Sequence, residues 1–309
     1  MRQLLVIITA CLTLFSCSQK HEGRAPVVIS LLGKAYYEPE RPTKVQARLD
    51  SNLEVALSNL ENRISEENFI WLGRRLGYMS RFNEAVRVFT DGLERYPESA
   101  RLYRHRGHRY ISLRLFDKAI DDLNRANVLS STLPLEMEPD GEPNKINKPL
   151  STLQFNIRYH LGVAHYLKGD FTKAWEAFVE CLKICDNDDL LVACVDWMYM
   201  TERRLGWTRE AASVINNVHE GMTIIENDSY YKRCRMYQGH LSPDSLLAGD
   251  PKSEDYDLVM ATQGYGVGNW YLYNGDSVKA KEIFEKVVAG KYFSAFGFIA
   301  AEAELARWK

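Results

Sequence analysis

The chain has 309 residues, 46% hydrophobic and 26% charged, with a formal net charge of −2. This is ordinary globular composition with ample apolar material for a core. It excludes a chain-wide basic field of the kind that holds nucleic acid.

The N-terminus reads MRQLLVIITACLTLFSCSQK. Arg2 precedes an apolar run from Leu4 to Phe15, too short for an ordinary membrane span and suited to a signal-peptide core. The run ends in Leu14-Phe15-Ser16-Cys17, which resembles the bacterial lipobox, with bulky Phe15 as its one departure. The resemblance implies a signal peptide over 1–16, lipid attachment at Cys17 and a tether over 17–43. It also implies an exported, periplasm-facing protein held to the membrane by its lipid. Ser18, in place of a retention aspartate, favours the outer membrane. An uncleaved or conventionally cleaved signal is the competing reading.

Leu49, Leu53, Ala56, Leu57, Leu60 and Ile64 recur at helical spacing and predict a leading helix over 44–64. From residue 66 the sequence repeats with a period of 34: Gly73 and Gly107, Phe82 and Phe116, Ala85 and Ala119. Unit one (66–99) carries Phe69, Leu72, Gly73, Ala85, Phe89, Gly92 and Pro97. Unit two (100–133) carries Tyr103, Gly107, Tyr110, Ala119, Leu123 and Ala126. Unit three (155–188) has Leu161, Gly162, Gly169, Ala174, Phe178 and Cys181. Unit four (192–225) is degenerate and keeps Gly206, Ala211 and Ile215. Unit five (261–294) has Gly268, Tyr271, Gly275, Ala280 and Phe284. Small residues let paired helices approach, large ones interlock, and the units bury their apolar faces only by stacking.

This pattern resembles the tetratricopeptide repeat family over 66–225 and 261–294. The resemblance implies an all-α, tetratricopeptide-type α-solenoid: a right-handed superhelix of helix pairs with an N-terminal leading helix and a C-terminal capping helix. The leading helix and repeats one to four then occupy 44–225, and an extra helix, a linker, repeat five and the capping helix occupy 226–309. No strand pattern is evident.

Residues 130–150, SSTLPLEMEPDGEPNKINKPL, interrupt the period between units two and three. Pro139-Asp140-Gly141 predicts a turn, and Ser151-x-x-Gln154 predicts a capping box. Glu136, Glu138, Asp140 and Glu142 read first as a solvated connection. Calcium binding, or folding onto a basic face as an internal ligand mimic, are the alternatives. Further helices are predicted at 228–240 and from Phe293 to Trp308, the second covering the last repeat with its aromatics. Cys181, Cys185, Cys194 and Cys234 read as small buried thiols, with a disulfide to Cys194 or Cys234 left open.

The chemistry concentrates in RLYRHRGHRYISLRLF, residues 101–116. On a helix, Arg101, Arg104 and His108 share one face, while Arg106 and Arg109 point elsewhere. In tetratricopeptide-like repeats the second, fifth and ninth positions of the first helix face the concave groove. The resemblance therefore implies a groove lined by Arg74, Tyr78, Arg101, Arg104, His108, Asn156, Tyr159 and Tyr166. Guanidinium forks suit carboxylate or phosphate, and tyrosine adds rigid contact area. The expected function is a lipid-anchored scaffold or adaptor binding an envelope protein or acidic peptide segment, with no cofactor and no nucleic acid. Pairing of these charges with neighbouring helices is the competing reading. An enzyme, metal-dependent or histidine-based, around His105, His108 and His160 between repeats two and three is the alternative. Neither HExxH nor paired CxxC spacing supports a metal site there. Capture of an extracellular nutrient is a third class, for which the chain lacks an added domain.

Overall fold

The computed structural model describes residues 25–250, 253 and 256–308, so Cys17 and the signal peptide lie outside the described residues. Helix α1 (Thr43–Asn62) leads. Antiparallel pairs follow: α2 (Glu66–Tyr78) with α3 (Phe82–Arg95), then α4 (Ala100–Ser112) with α5 (Phe116–Ser130). The third pair is α6 (Leu153–Lys168) with α7 (Phe171–Leu182), and the fourth α8 (Asp188–Arg204) with the short α9 (Thr208–Val214). Helix α10 (Asp228–Tyr237) and the one-turn helices α11 (Pro243–Leu246) and α12 (Tyr256–Val259) precede the fifth pair. That pair is α13 (Tyr265–Tyr273) with α14 (Ser277–Ala289), entered through a π-helical turn at Met260–Gly264. Helix α15 (Phe296–Arg307) closes the chain. The fold is an all-α solenoid of tetratricopeptide type.

The period has local causes. Ser65, Ser99, Thr152 and Asn187 each cap a first helix by accepting from the N–H three residues on, which stabilises each start by about 1 kcal/mol. Thr152 holds this position where the sequence pointed to Ser151. Gln154 is drawn instead to the inserted segment, donating to the Pro134 carbonyl and accepting from the Glu136 N–H. Every turn inside a pair contains a residue of positive φ: Ser80, Arg114, Gly169, Gly206 and Gly275. The helices of a pair touch because the repeat glycine leaves room. A Cβ on Gly73 would lie 2.3 Å from the Phe89 ring, and one on Gly162 would lie 2.6 Å from the Phe178 ring.

Two departures from the sequence reading reshape the concave side. Part of the expected tether is a small antiparallel hairpin, β1 (Val28–Ile29) and β2 (Ala35–Tyr36), whose Val28 and Tyr36 are buried. Strands of two residues are too short to show a period of two. Helix α15, expected to cover only the last repeat, also reaches repeats two and three. Trp308 does contact Phe284 of repeat five at 5.7 Å between ring centroids. Phe296, however, lies 5.4 Å from His108 and 5.5 Å from His160. Tyr36 stacks on Phe293 at 5.0 Å, so hairpin and C-terminal segment share one aromatic cluster.

A buried ion pair ties these parts together. Arg114 and Glu302 meet at 3.1 and 2.9 Å with side chains 2% and 0% exposed. Arg114 also donates to the carbonyls of Ser112 and Phe293, and the Leu31 N–H donates to Glu302 at 2.7 Å. These bonds hold Arg114 in its left-handed conformation, which is unusual outside glycine.

The four cysteines at 181, 185, 194 and 234 are free thiols. Cys181, Cys194 and Cys234 donate to the carbonyls of Phe155, Phe178 and Val192, so no disulfide to Cys194 or Cys234 is formed. Among the described residues no helix is long and apolar enough to cross a membrane.

Candidate functional site

The inserted segment decides what the expected groove residues do. From Glu136 to Glu138 it runs extended beside the start of α6: the Leu153 N–H donates to the Glu136 carbonyl and the Glu138 N–H to the Ser151 carbonyl. This pairing turns Glu138 inward, where it is 6% exposed. Arg104 approaches its carboxylate at 3.1 Å, His105 at 2.9 Å and the Asn156 amide at 2.5 Å. Burial alone would raise the Glu138 carboxyl, but Arg104 and His105 outweigh it and hold the group well below the ordinary carboxylate range.

Neighbouring acids follow the same course. Arg101 pairs with Glu67 at 2.6 Å and lies 3.7 Å from Glu136, and Glu67 is the equivalent position one repeat earlier. Glu142 pairs with Arg48 of α1 at 2.6 Å, and Arg75 donates to the Gly141 carbonyl. Gly141 lies close against the arginine face: a Cβ there would meet the Tyr78 hydroxyl at 1.4 Å and displace that side chain. The segment is therefore neither a free connection nor, in this arrangement, a cation loop. It is folded onto the arginine face.

Each expected groove residue has a definite place. Arg74, Tyr78, Arg104 and His108 line a recess of about 140 Å³ between α2 and α4. Arg101 stands at the edge of a more open recess of about 490 Å³ with Tyr96, Leu129, Leu133 and Leu153. Asn156 holds Glu138. Tyr159 is 6% exposed and bonded through its hydroxyl to Tyr230. Tyr166 is fully buried, bonded to Tyr265 and Asn269, and does not face an open groove. Tetratricopeptide register placed it on the concave side, and the fifth pair has closed over that side.

The histidines act as packing groups. His105, named in the sequence as a candidate for metal or histidine chemistry, is 5% exposed and stacks on Phe89 at 5.7 Å. His108 and His160 lie ring to ring at 4.4 Å, and the His160 Nδ1 faces the Asn156 carbonyl. Burial, aided by Arg104, pushes His105 and His160 down to about 3, and burial with Arg109 pushes His108 well below its ordinary value. All three are neutral at pH 7. Among the described residues no group of three or more His, Cys, Asp or Glu stands where it would hold a metal ion.

Sequence reasoning missed Arg109. It lines the same recess as Arg104, although it lies off the face of Arg101, Arg104 and His108. The groove wall is built from α2 as well as α4, and Arg109 reaches across the bare backbone of Gly77. Arg106, by contrast, forms a two-pronged pair with Asp122 at 2.7 and 2.8 Å.

No family model and no curated protein matches the chain. Among solved structures, a tetratricopeptide repeat protein from Parabacteroides merdae is similar with a TM-score of 0.50 and 13% identity, over 83% of this chain and 94% of that one. YrrB, a TPR protein whose crystal structure has an unusual peptide-binding site, gives a TM-score of 0.43 and 15% identity over 82% and 99%. At these identities the likeness to the Parabacteroides merdae protein bears on the fold alone.

Proposed function

We propose that the chain is a lipid-anchored envelope scaffold that binds a protein partner over the segment inserted between repeats two and three. The observation that carries this reading is an outward apolar row on that segment. Leu133, Leu135 and Met137 are 54%, 51% and 47% exposed, at alternate positions of a stretch whose Glu138 is turned inward. Large apolar side chains grouped on an exposed surface mark an interaction site, whereas single scattered ones are ordinary. It adjoins the open recess beside Arg101, which adds concave apolar wall from Tyr96, Leu129 and Leu153 and an edge of mixed charge from Arg101, Glu66, Glu98 and Glu136.

This narrows the expected groove binding. The anion reader at Arg104 is already served by Glu138, so a partner meets the outside of the inserted segment and the recess beside it. A photo-crosslinker at position 135, used on envelope fractions, tests this. The triple variant Leu133→Ser, Leu135→Ser, Met137→Ser is expected to lower partner affinity by about tenfold or more, the scale of losing a cluster of apolar anchors. Unchanged affinity for the cross-linked partner would sink the proposal. The anchor has its own test: Cys17→Ala is expected to release the protein from salt-washed membranes, and its retention there would refute lipid attachment.

A further inference from the structure

The recess between α2 and α4 holds more positive charge than the chain neutralises. Arg74, Arg104 and Arg109 line it, with Tyr78, His105 and His108. Among the described residues, Glu138 is the one carboxylate in ion-pair contact with any of these three guanidinia. Asp140 adds an anion near Arg74, so three guanidinia face two carboxylates, and Arg74 and Arg109 have none in ion-pair contact among the described residues.

Arg109 is the clearest case. It lies over the Phe82 ring at 5.4 Å and has no carboxylate partner among the described residues. Burial, reinforced by Arg104 and Arg74, lowers its pKa to about 10. Arg104 is 9% exposed, and its Nε is buried with no hydrogen-bond partner. His108 makes ring contacts to His160 and Phe296 and no side-chain hydrogen bond among the described residues.

A guanidinium drawn out of water without a counter-ion is costly, and Arg109, only partly exposed, has none among the described residues. Both histidines are neutral and add no charge; the ring nitrogens of His105 are taken by Arg104 and Glu138, and those of His108 remain for hydrogen bonding. The recess, about 140 Å³, equals roughly five times the liquid volume of a water molecule. Two guanidinia without an ion-pair partner, in a space of that size, match a compact oxyanion with several acceptor oxygens better than a bulkier peptide carboxylate.

We propose that this recess binds a small tetrahedral oxyanion, phosphate or the phosphate group of a monoester, between Arg74, Arg104 and Arg109. Planar guanidinium forks give two parallel bonds to such an anion, and Tyr78 Oη and the His108 ring stand in the same wall. The site lies behind Glu138 and needs no protein partner, so it goes beyond the scaffold reading and stands or falls apart from it.

Titration calorimetry on the full chain tests it. Inorganic phosphate is added in chloride buffer at constant ionic strength and pH 7.5. Saturable one-to-one binding is expected, weakened at least tenfold in Arg109→Met. Should Arg109→Met melt early by circular dichroism, His108→Gln replaces it as the second variant, with weakening again expected. Glycerol 1-phosphate forms the other arm. Binding of inorganic phosphate alone supports a free-ion site, and equal binding of the ester supports a site that takes a phosphomonoester. Absence of saturable binding by either compound, or equal affinity in wild type and folded variants, overturns the proposal.

Discussion

Glu138→Gln is expected to lower the stability of the fold by about 3–5 kcal/mol, the usual cost of removing one partner from a buried ion pair. In a chain of this size that is a fall of roughly 10 °C in melting temperature by circular dichroism. The amide keeps the shape but leaves Arg104, itself buried, facing a neutral group, with Arg74 and Arg109 in the same recess. The double variant Arg104→Met, Glu138→Met is expected to recover much of the loss, because an apolar pair of similar volume leaves no stranded charge. The sign of the pH dependence follows from Glu138 being held below its ordinary value of 4.5. Its pairing is fully present above pH 4.5 and fades as acid titrates the folded group. The gap between wild type and Glu138→Gln is therefore full at pH 7 and closes below pH 4.5. A gap under 1 kcal/mol at pH 7 would show that the inserted segment is not a structural part of the solenoid.

Glu302→Ala is expected to have a second large effect of the same order, about 3–5 kcal/mol, with a different local signature. It strands Arg114, which is 7% exposed, and frees the Leu31 N–H. Both the turn after α4 and the hairpin then lose their hold on α15. Limited trypsin digestion with mass spectrometry reads this directly, because Lys34 lies in the hairpin turn. Cleavage after Lys34 should be slow in wild type and fast in the variant. Equal cleavage, together with an unchanged melting temperature, would mean that the aromatic cluster of Tyr36, Phe293 and Phe298 holds the hairpin without the ion pair.

The repeats were legible because each requirement leaves a residue at a fixed interval. Gly73 and Gly107, Phe82 and Phe116, Ala85 and Ala119 stand 34 positions apart, and Gly73 and Gly162 mark helix contact. The turn position was legible where it is glycine, at 169, 206 and 275, and hidden at Ser80 and Arg114, where tertiary bonds support an uncommon backbone. The arginine face was legible from helical spacing. Its partner Glu138 was visible only as one of four acids, because what turns it inward is pairing with Ser151 and Leu153 across a segment that has no period. The destination of α15 left no mark at all. Phe296 and Phe298 show that the helix has apolar surface to bury, but a sequence does not say which surface receives it.

The bond between Leu31 and Glu302 spans 271 positions. In an open array each unit touches only its neighbours, so a unit is gained or lost at little cost and the array stays a working protein of another length. Here the last helix must return to the turn after α4, and one unit more or fewer would swing it away from Arg114. The number of repeats is thus set by a joint outside them. Duplication or deletion of a single unit, commonly tolerated in open repeat proteins, would leave this chain with two unmatched surfaces.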